Sequence, residues 1–205
     1  MANLTSSRKK KIIAASVIFF SILISLFIYN WASYQVQFDE CNDPNGCIRI
    51  YGNVIDEKFV PISDLQNDGT FTYIDSQEYK IVNAWTTEYN KSVAGVSLNN
   101  IFKTLEIIPD NATYIQFEAV DNFKSFKLPI EVVRNFPNQV LLINKEYGRI
   151  LKPKSDGGEG PIKGFVSLPA LQNNQNVTEV FAENGENTVY NSVFNVKYLS
   201  AVRVY

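Results

Sequence analysis

From Ile12 to Ile28 the chain carries no charged residue, and its polar members there are Ser16, Ser21 and Ser25. As a helix those seventeen residues would rise ~26 Å, close to the ~30 Å hydrocarbon core of a bilayer. Arg8, Lys9, Lys10 and Lys11 precede the run, and Tyr29, Trp31 and Tyr34 follow it, where an aromatic belt would lie. The positive-inside rule then predicts a cytoplasmic basic tail over 1–11, a transmembrane anchor over 12–31 and an extracytoplasmic remainder. The expected protein is single-pass in the cell membrane, which it meets through this N-terminal helix. A cleaved secretory signal is the competing reading, although its apolar region is usually shorter and Trp31-Ala32-Ser33 is a poor cleavage site. A buried helix of a soluble fold would carry an apolar stripe, whereas this run is apolar all round.

The rest of the chain is constrained by what it lacks. Histidine is absent from all 205 residues. That removes the Ser-His-Asp and Cys-His nucleophile systems and every zinc site that needs imidazole. The net charge of −2 also conceals an uneven layout, because the basic block supplies four of the 19 basic residues against 21 acidic ones. The acidic remainder is a poor match for nucleic acid, which needs a basic face against its phosphates.

Cys41 and Cys47 are the two cysteines. Asp43-Pro44-Asn45-Gly46 between them is a turn sequence, with Pro preset at its second position and Asn-Gly tolerant of positive φ. Outside the cytoplasm such a pair is expected to oxidise into a structural staple across a neck of residues 32–47. A redox-active pair and two free thiols remain as alternatives; the spacing is not Cys-x-x-Cys. Asp39, Glu40 and Asp43 form an acidic cluster that reads as a solvated neck, since it lacks the alternating carboxylates of a calcium loop.

Residues 48–205 read as one β-rich α+β domain of short strands. Strands are expected at Ile48–Val54, at Thr70–Ile74 and Tyr79–Trp85 paired around a polar turn, and at Gln139–Ile143. More are expected at Lys163–Leu168, Val177–Phe181, Thr188–Tyr190 and Tyr198–Tyr205. Tyr114–Val120, Asp121-Asn122 and Phe123–Leu128 form a hairpin with a tight turn. Ser97 is placed to cap a helix whose Leu98, Ile101, Phe102 and Leu105 make an i, i+3, i+4, i+7 stripe. Ile130–Arg134, after Pro129, is a one-turn helix. Gln172–Asn176 and Glu183–Asn187 read as polar loops, and Trp85 and Tyr89 as aromatic core.

Several of these pieces occur in a familiar order. Tyr51-Gly-Asn-Val54, Val60-Pro-Ile-Ser-Asp-Leu65 and Ala94-Gly-Val-Ser-Leu98 leading to Ile101-Phe102 come first. Val120-Asp-Asn-Phe123, Val140–Ile143 with Gly148 and Leu151, and Gly157-Gly-Glu-Gly-Pro161 with Val166 and Pro169 follow. Lys197-Tyr-Leu199 with Val202 and Val204 closes the set. Together they resemble the molybdopterin-binding domain of the sulfite oxidase superfamily, from about Ile50 to Tyr205. The resemblance implies a molybdopterin-binding fold of mixed strands with short helices, here preceded by one transmembrane helix. In that family a cysteine thiolate holds molybdenum, and it lies between the opening strand and the Gly-Val helix; Val54 to Ala94 contains no cysteine. The family also uses histidine and arginine around the cofactor, whereas this chain has no histidine and Lys163 in place of the arginine. The implied protein is a fold relative that does not run molybdenum chemistry, with no catalytic residue, no metal site and no cofactor; molybdopterin enters by resemblance only.

If a pterin phosphate were retained, Lys152, Lys154 and Lys163 around Gly157 and Gly158 would hold it, although the glycine loop also reads as a plain structural turn. The expected role is binding or assembly outside the cell with a protein or small-molecule partner. The alternatives are a molybdopterin oxidoreductase with a rearranged site and a β-rich adhesion or ligand-binding module. A space between the Asp121 hairpin and the Gly157 loop is the discriminating feature. Filled and apolar, it argues that the site is lost; open and lysine-rimmed, it argues for a retained ligand.

Overall fold

The computed structural model describes residues 16–17, 19–26, 40–41, 43, 45–66 and 69–205. The chain divides into two units, Met1–Asp39 and Glu40–Tyr205.

In the first unit, residues 16–17 and 19–26 are helical with exposed side chains. Ser21 Oγ donates to the carbonyl of Val17 and Ser25 Oγ to that of Ser21, both at 2.9 Å. Ser21 and Ser25 are thus satisfied within their own helix, four residues back. Among the described residues no helix is long and apolar enough to cross a membrane. The basic block, Tyr29, Trp31, Tyr34 and Asp39 lie outside the described residues.

The second unit is β-rich with short helices. Its first sheet has the order β2-β1-β10-β5-β6. These strands are β1 (Cys47–Gly52), β2 (Lys58–Pro61), β5 (Tyr114–Ala119), β6 (Leu128–Pro129) and β10 (Leu199–Val204). β1 runs parallel to β10, with Arg49 beside Ala201 and Gly52 beside Val204, and the other pairings are antiparallel. Ile48 and Ile50, Ile115 and Phe117, and Val202 and Val204 point to the buried side, as period-two alternation requires of a sheet with one covered face.

The second sheet has the order β3-β4-β7-β8, with β9 also on β7. It comprises β3 (Tyr73–Val82), β4 (Glu88–Ser97), β7 (Val140–Glu146), β8 (Arg149–Ile150) and β9 (Lys163–Val166). Val140 to Ile143 is buried throughout, which explains its unbroken apolar run: β7 is flanked by β4 and β9 and covered on both faces. Ile74, Ile81, Val93, Leu141, Ile143 and Phe165 form its core cluster.

Helix α1 (Ile62–Gln66) follows β2, and α2 (Leu98–Leu105) continues β4. Ser97 caps α2 by accepting from the amide of Asn100, and Leu98, Ile101, Phe102 and Leu105 are buried as expected. Helix α3 (Ile130–Asn135) follows Pro129, and α4 (Leu168–Leu171) and α5 (Gln175–Glu183) lie between β9 and β10.

Several expectations are corrected. The segments 70–74 and 79–85 are not two strands around a polar turn. Residues 73–82 are one strand whose Asp75, Ser76, Gln77 and Glu78 are exposed. A register shift between Ile74 and Gln77 absorbs the polar stretch. The chain reverses instead at 83–87, where the Asn83 side chain accepts from the amides of Trp85 and Thr87. Trp85 is therefore 83% exposed and Tyr89 42% exposed, not core. Val177–Phe181 is helix, not strand. Asn174 caps it by accepting from the amide of Val177, and Val177, Val180 and Phe181 are buried at helical spacing. Gln175 and Asn176, expected in a loop, open this helix. Thr188–Tyr190 forms no strand; Tyr190 packs edge-on against Phe181 at 5.1 Å. The Asp121 hairpin exists, with Asn122 at φ +67, but its ladder is interrupted where the Ser125 hydroxyl takes the amide of Phe117.

Gly95 pairs with Ile143 at a register shift between β4 and β7, and a Cβ there would lie 2.2 Å from the Leu142 carbonyl oxygen and 2.5 Å from the Ile143 Cα. Both neighbours are backbone and cannot turn aside. Gly95→Ala is expected to lower stability by about 3 kcal/mol, read as a reduced urea midpoint at unchanged slope.

Candidate functional site

The expected lysine cluster lies around the connection between β8 and β9. Tyr147 at φ +50 and Gly148 at φ +72 form the tight turn that ends β7 and starts β8. A 3-10 turn (Lys154–Asp156) then leads into the glycine loop. A Cβ on Gly158 would meet the Lys152 carbonyl oxygen at 2.1 Å, and one on Gly160 the Tyr198 Cα at 2.8 Å. These glycines are places of close backbone approach. The amides of Asp156, Gly157, Gly158 and Gly160 donate to the carbonyls of Lys152, Pro153 and Lys154 at 3.0–3.1 Å. These four donors are spent inside the loop.

Two hollows flank it. One is a cleft of about 650 Å³ lined by Glu146, Tyr147, Arg149, Lys152, Glu159 and Lys163, with Gly158 in its wall. Its floor is a chain of alternating charges. Lys91 Nζ lies 2.9 Å from Glu146 Oε1, and Lys163 Nζ lies 2.9 Å from Glu146 Oε2 and 2.6 Å from Glu159 Oε2. Lys197 closes the chain on Glu159 Oε1. The Lys163 side chain is only 3% exposed. A buried ammonium without partners would be strongly disfavoured, and two carboxylates satisfy it. Hydrogen bonds from Lys163 and then Lys197 hold the Glu159 carboxyl down at about 2.

The other hollow, about 390 Å³, lies between the Asp121 hairpin and the glycine loop, and Gly46, Cys47, Ile62, Lys154 and Tyr198 help line it. It is open, and Lys154 at its rim lies 5.4 Å from the centre of the Tyr198 ring. Cys41 and Cys47 are joined by a disulfide, as expected. The neck loop is further held by Asp43, which accepts from the amides of Asn45 and Ser63 at 2.8 Å. Burial pushes the Asp43 carboxyl up, but these amides outweigh it and leave the carboxyl below its ordinary value.

The structure thus brings Lys152, Lys163 and Gly158 to one cleft and turns Lys154 to the other hollow. The sequence assigns none of Glu146, Glu159, Lys91 and Lys197 to the site. One signal was available. Lys163 opens an otherwise apolar strand, and a lysine in a buried position calls for carboxylates nearby. Among the described residues no group of three or more histidine, cysteine, aspartate or glutamate side chains could hold a metal ion.

No protein-family model and no curated protein sequence matches the chain. A solved structure does. The crystal structure of the sulfane dehydrogenase SoxCD from Paracoccus pantotrophus is similar over 81% of this chain, at a TM-score of 0.50 and 14% identity. The matched region spans 39% of that protein's chain. At this identity the likeness is one of fold alone.

Because the folded Glu159 titrates near 2 rather than at the ordinary 4.5, its ionised form favours the folded state. Its contribution is complete above pH ~4.5 and is lost as the pH falls from there towards 2. The urea midpoint of the native chain should therefore drop over that interval more steeply than that of Glu159→Gln. Parallel curves for the two proteins would remove the network from the account.

Proposed function

We propose that this chain is a membrane-tethered, extracytoplasmic binding or assembly module, built on a sulfite oxidase-type scaffold and without a molybdenum redox centre. The observation that carries the reading is the fate of sulfur: the chain has two cysteines, and they are joined to each other. Molybdenum in the family that the sequence resembles is held by a thiolate, a soft anionic ligand. A disulfide sulfur is neither anionic nor free to coordinate. The other donors fit no better. Histidine is absent, and Lys163, which stands where that family has arginine, is engaged by Glu146 and Glu159. The amides of Asp156, Gly157, Gly158 and Gly160, which a phosphate could use, are bonded internally.

A second reading, a cofactor carrier with a rearranged site, has one observation behind it. The hollow between the Asp121 hairpin and the glycine loop is open and has Lys154 at its rim. One experiment separates the two: express the full chain in a host with a molybdenum-replete cofactor pathway, then measure metal and released pterin in the purified protein. The proposed reading expects neither. Stoichiometric molybdenum overturns it, and pterin without metal favours the second reading.

The tether rests on the uncharged run after four basic residues and on the internally bonded serines within it. The full chain is expected to stay in the membrane fraction after an alkaline carbonate wash. Protease added to intact spheroplasts is expected to digest the domain. Release by carbonate, or protection of the domain, would contradict the tether or its orientation.

A further inference from the structure

The outward face of the first sheet carries an ordered row of cations and tyrosines. Arg49 and Tyr51 project from β1, Arg203 from β10 beside Tyr51, and Gln116 and Glu118 from β5. Tyr205 follows β10, and Lys124 and Lys127 precede β6. The Arg49 guanidinium lies 4.4 Å from the Tyr51 ring centre. That of Arg203 lies 5.7 Å from Tyr51 and 4.9 Å from Tyr205, and Lys127 Nζ lies 4.3 Å from Tyr205.

The rings are pinned. Tyr51 donates its hydroxyl to Glu118 Oε2 at 2.7 Å, and Tyr205 donates to Gln116 Oε1 at 2.8 Å. Gln116 is itself fixed by donating to the Ser125 carbonyl. The carboxylates of the face are committed. Glu57 takes both Arg49 Nε and Nη2, and Glu118 takes Tyr51 and Lys124. Arg203 and Lys127 are left with ring faces and, among the described residues, with no carboxylate within ion-pair distance. The unit is acidic as a whole, yet this face sets Arg49, Lys124, Lys127 and Arg203 against Glu57 and Glu118.

We propose that this face binds a linear, carboxylate-bearing polysaccharide, with Arg203 as its central contact. A guanidinium set near two fixed rings presents a planar fork that matches a carboxylate, and part of its ordering is complete before the ligand arrives. The flat sheet offers no groove for a folded partner. Its ring faces are already covered by cations, which leaves no stacking platform for nucleic-acid bases. None of the exposed large apolar side chains of the unit lies on these strands, although Val120 and Phe123 precede Lys124 in the adjoining hairpin. The extracytoplasmic placement proposed above enters only in choosing a polysaccharide over other polyanions.

The test is equilibrium binding of the full chain, held in phosphatidylcholine nanodiscs, to polygalacturonate. Binding should weaken with added salt and should vanish with the methyl-esterified polymer. It should weaken about tenfold in Arg203→Gln, a loss of the order of one charge-assisted contact. Arg203→Lys, which keeps the charge without the fork, should fall between, and Lys103→Gln on α2 should match the native chain. Far-UV circular dichroism checks each variant's fold; if Arg203→Gln does not fold, Arg203→Lys and the esterified polymer decide. Equal binding of the esterified polymer overturns the proposal, as does unchanged binding in the Arg203 variants. So does preference for phosphatidylglycerol vesicles or polyglutamate over the polysaccharide. These outcomes are independent of molybdenum and pterin content.

Discussion

The ammonium of Lys163 lies where water scarcely reaches, at the point where the second sheet meets the glycine loop. An ion in that position needs counter-charges that are themselves held. Glu146 is held by Lys91 across the sheet, and Glu159 by Lys197 just before the last strand. The network therefore ties β4, β7, β9 and the approach to β10 around a single buried proton-carrying nitrogen. The cleft above it takes its charged floor from this arrangement.

Much of the fold was legible because local signals agreed with the tertiary result. Ile48 and Ile50 alternate with polar neighbours and face the core. Ser97 both looks like a helix cap and acts as one. Where the reading failed, local and tertiary terms competed. Val177, Val180 and Phe181 have the composition of a strand, but Asn174 caps them into a helix and the pocket made by Tyr190, Phe126 and Phe194 takes Phe181. Asp75 to Glu78 have the composition of a turn, but a full-length partner strand was available to pair with them. The site was less legible still. Lys152 and Lys154 are neighbours in the chain, yet the tight loop sends them to opposite hollows, and the distant Lys91 and Glu146 join Lys163 through pairings no spacing rule reports.

Fold and chemistry part company in this molecule. The motif order and the likeness to a sulfane dehydrogenase both speak for a scaffold. In the reading proposed above, the donor set goes with a different use of it: the two cysteines are joined in a disulfide, and Lys163 is bound to Glu146 and Glu159. The tyrosine and arginine row lies on the first sheet, whereas the Lys163 network belongs to the second.

The parallel pairing of β1 with β10 joins the first strand of the domain to its last. Every residue between them must be delivered before the central hydrogen bonds of that sheet can form. During synthesis β1 emerges early and waits with one side unpaired. Completion of this sheet is thus tied to completion of the chain, and the disulfide at the start of β1 closes a small local loop that can form long before its final neighbour arrives.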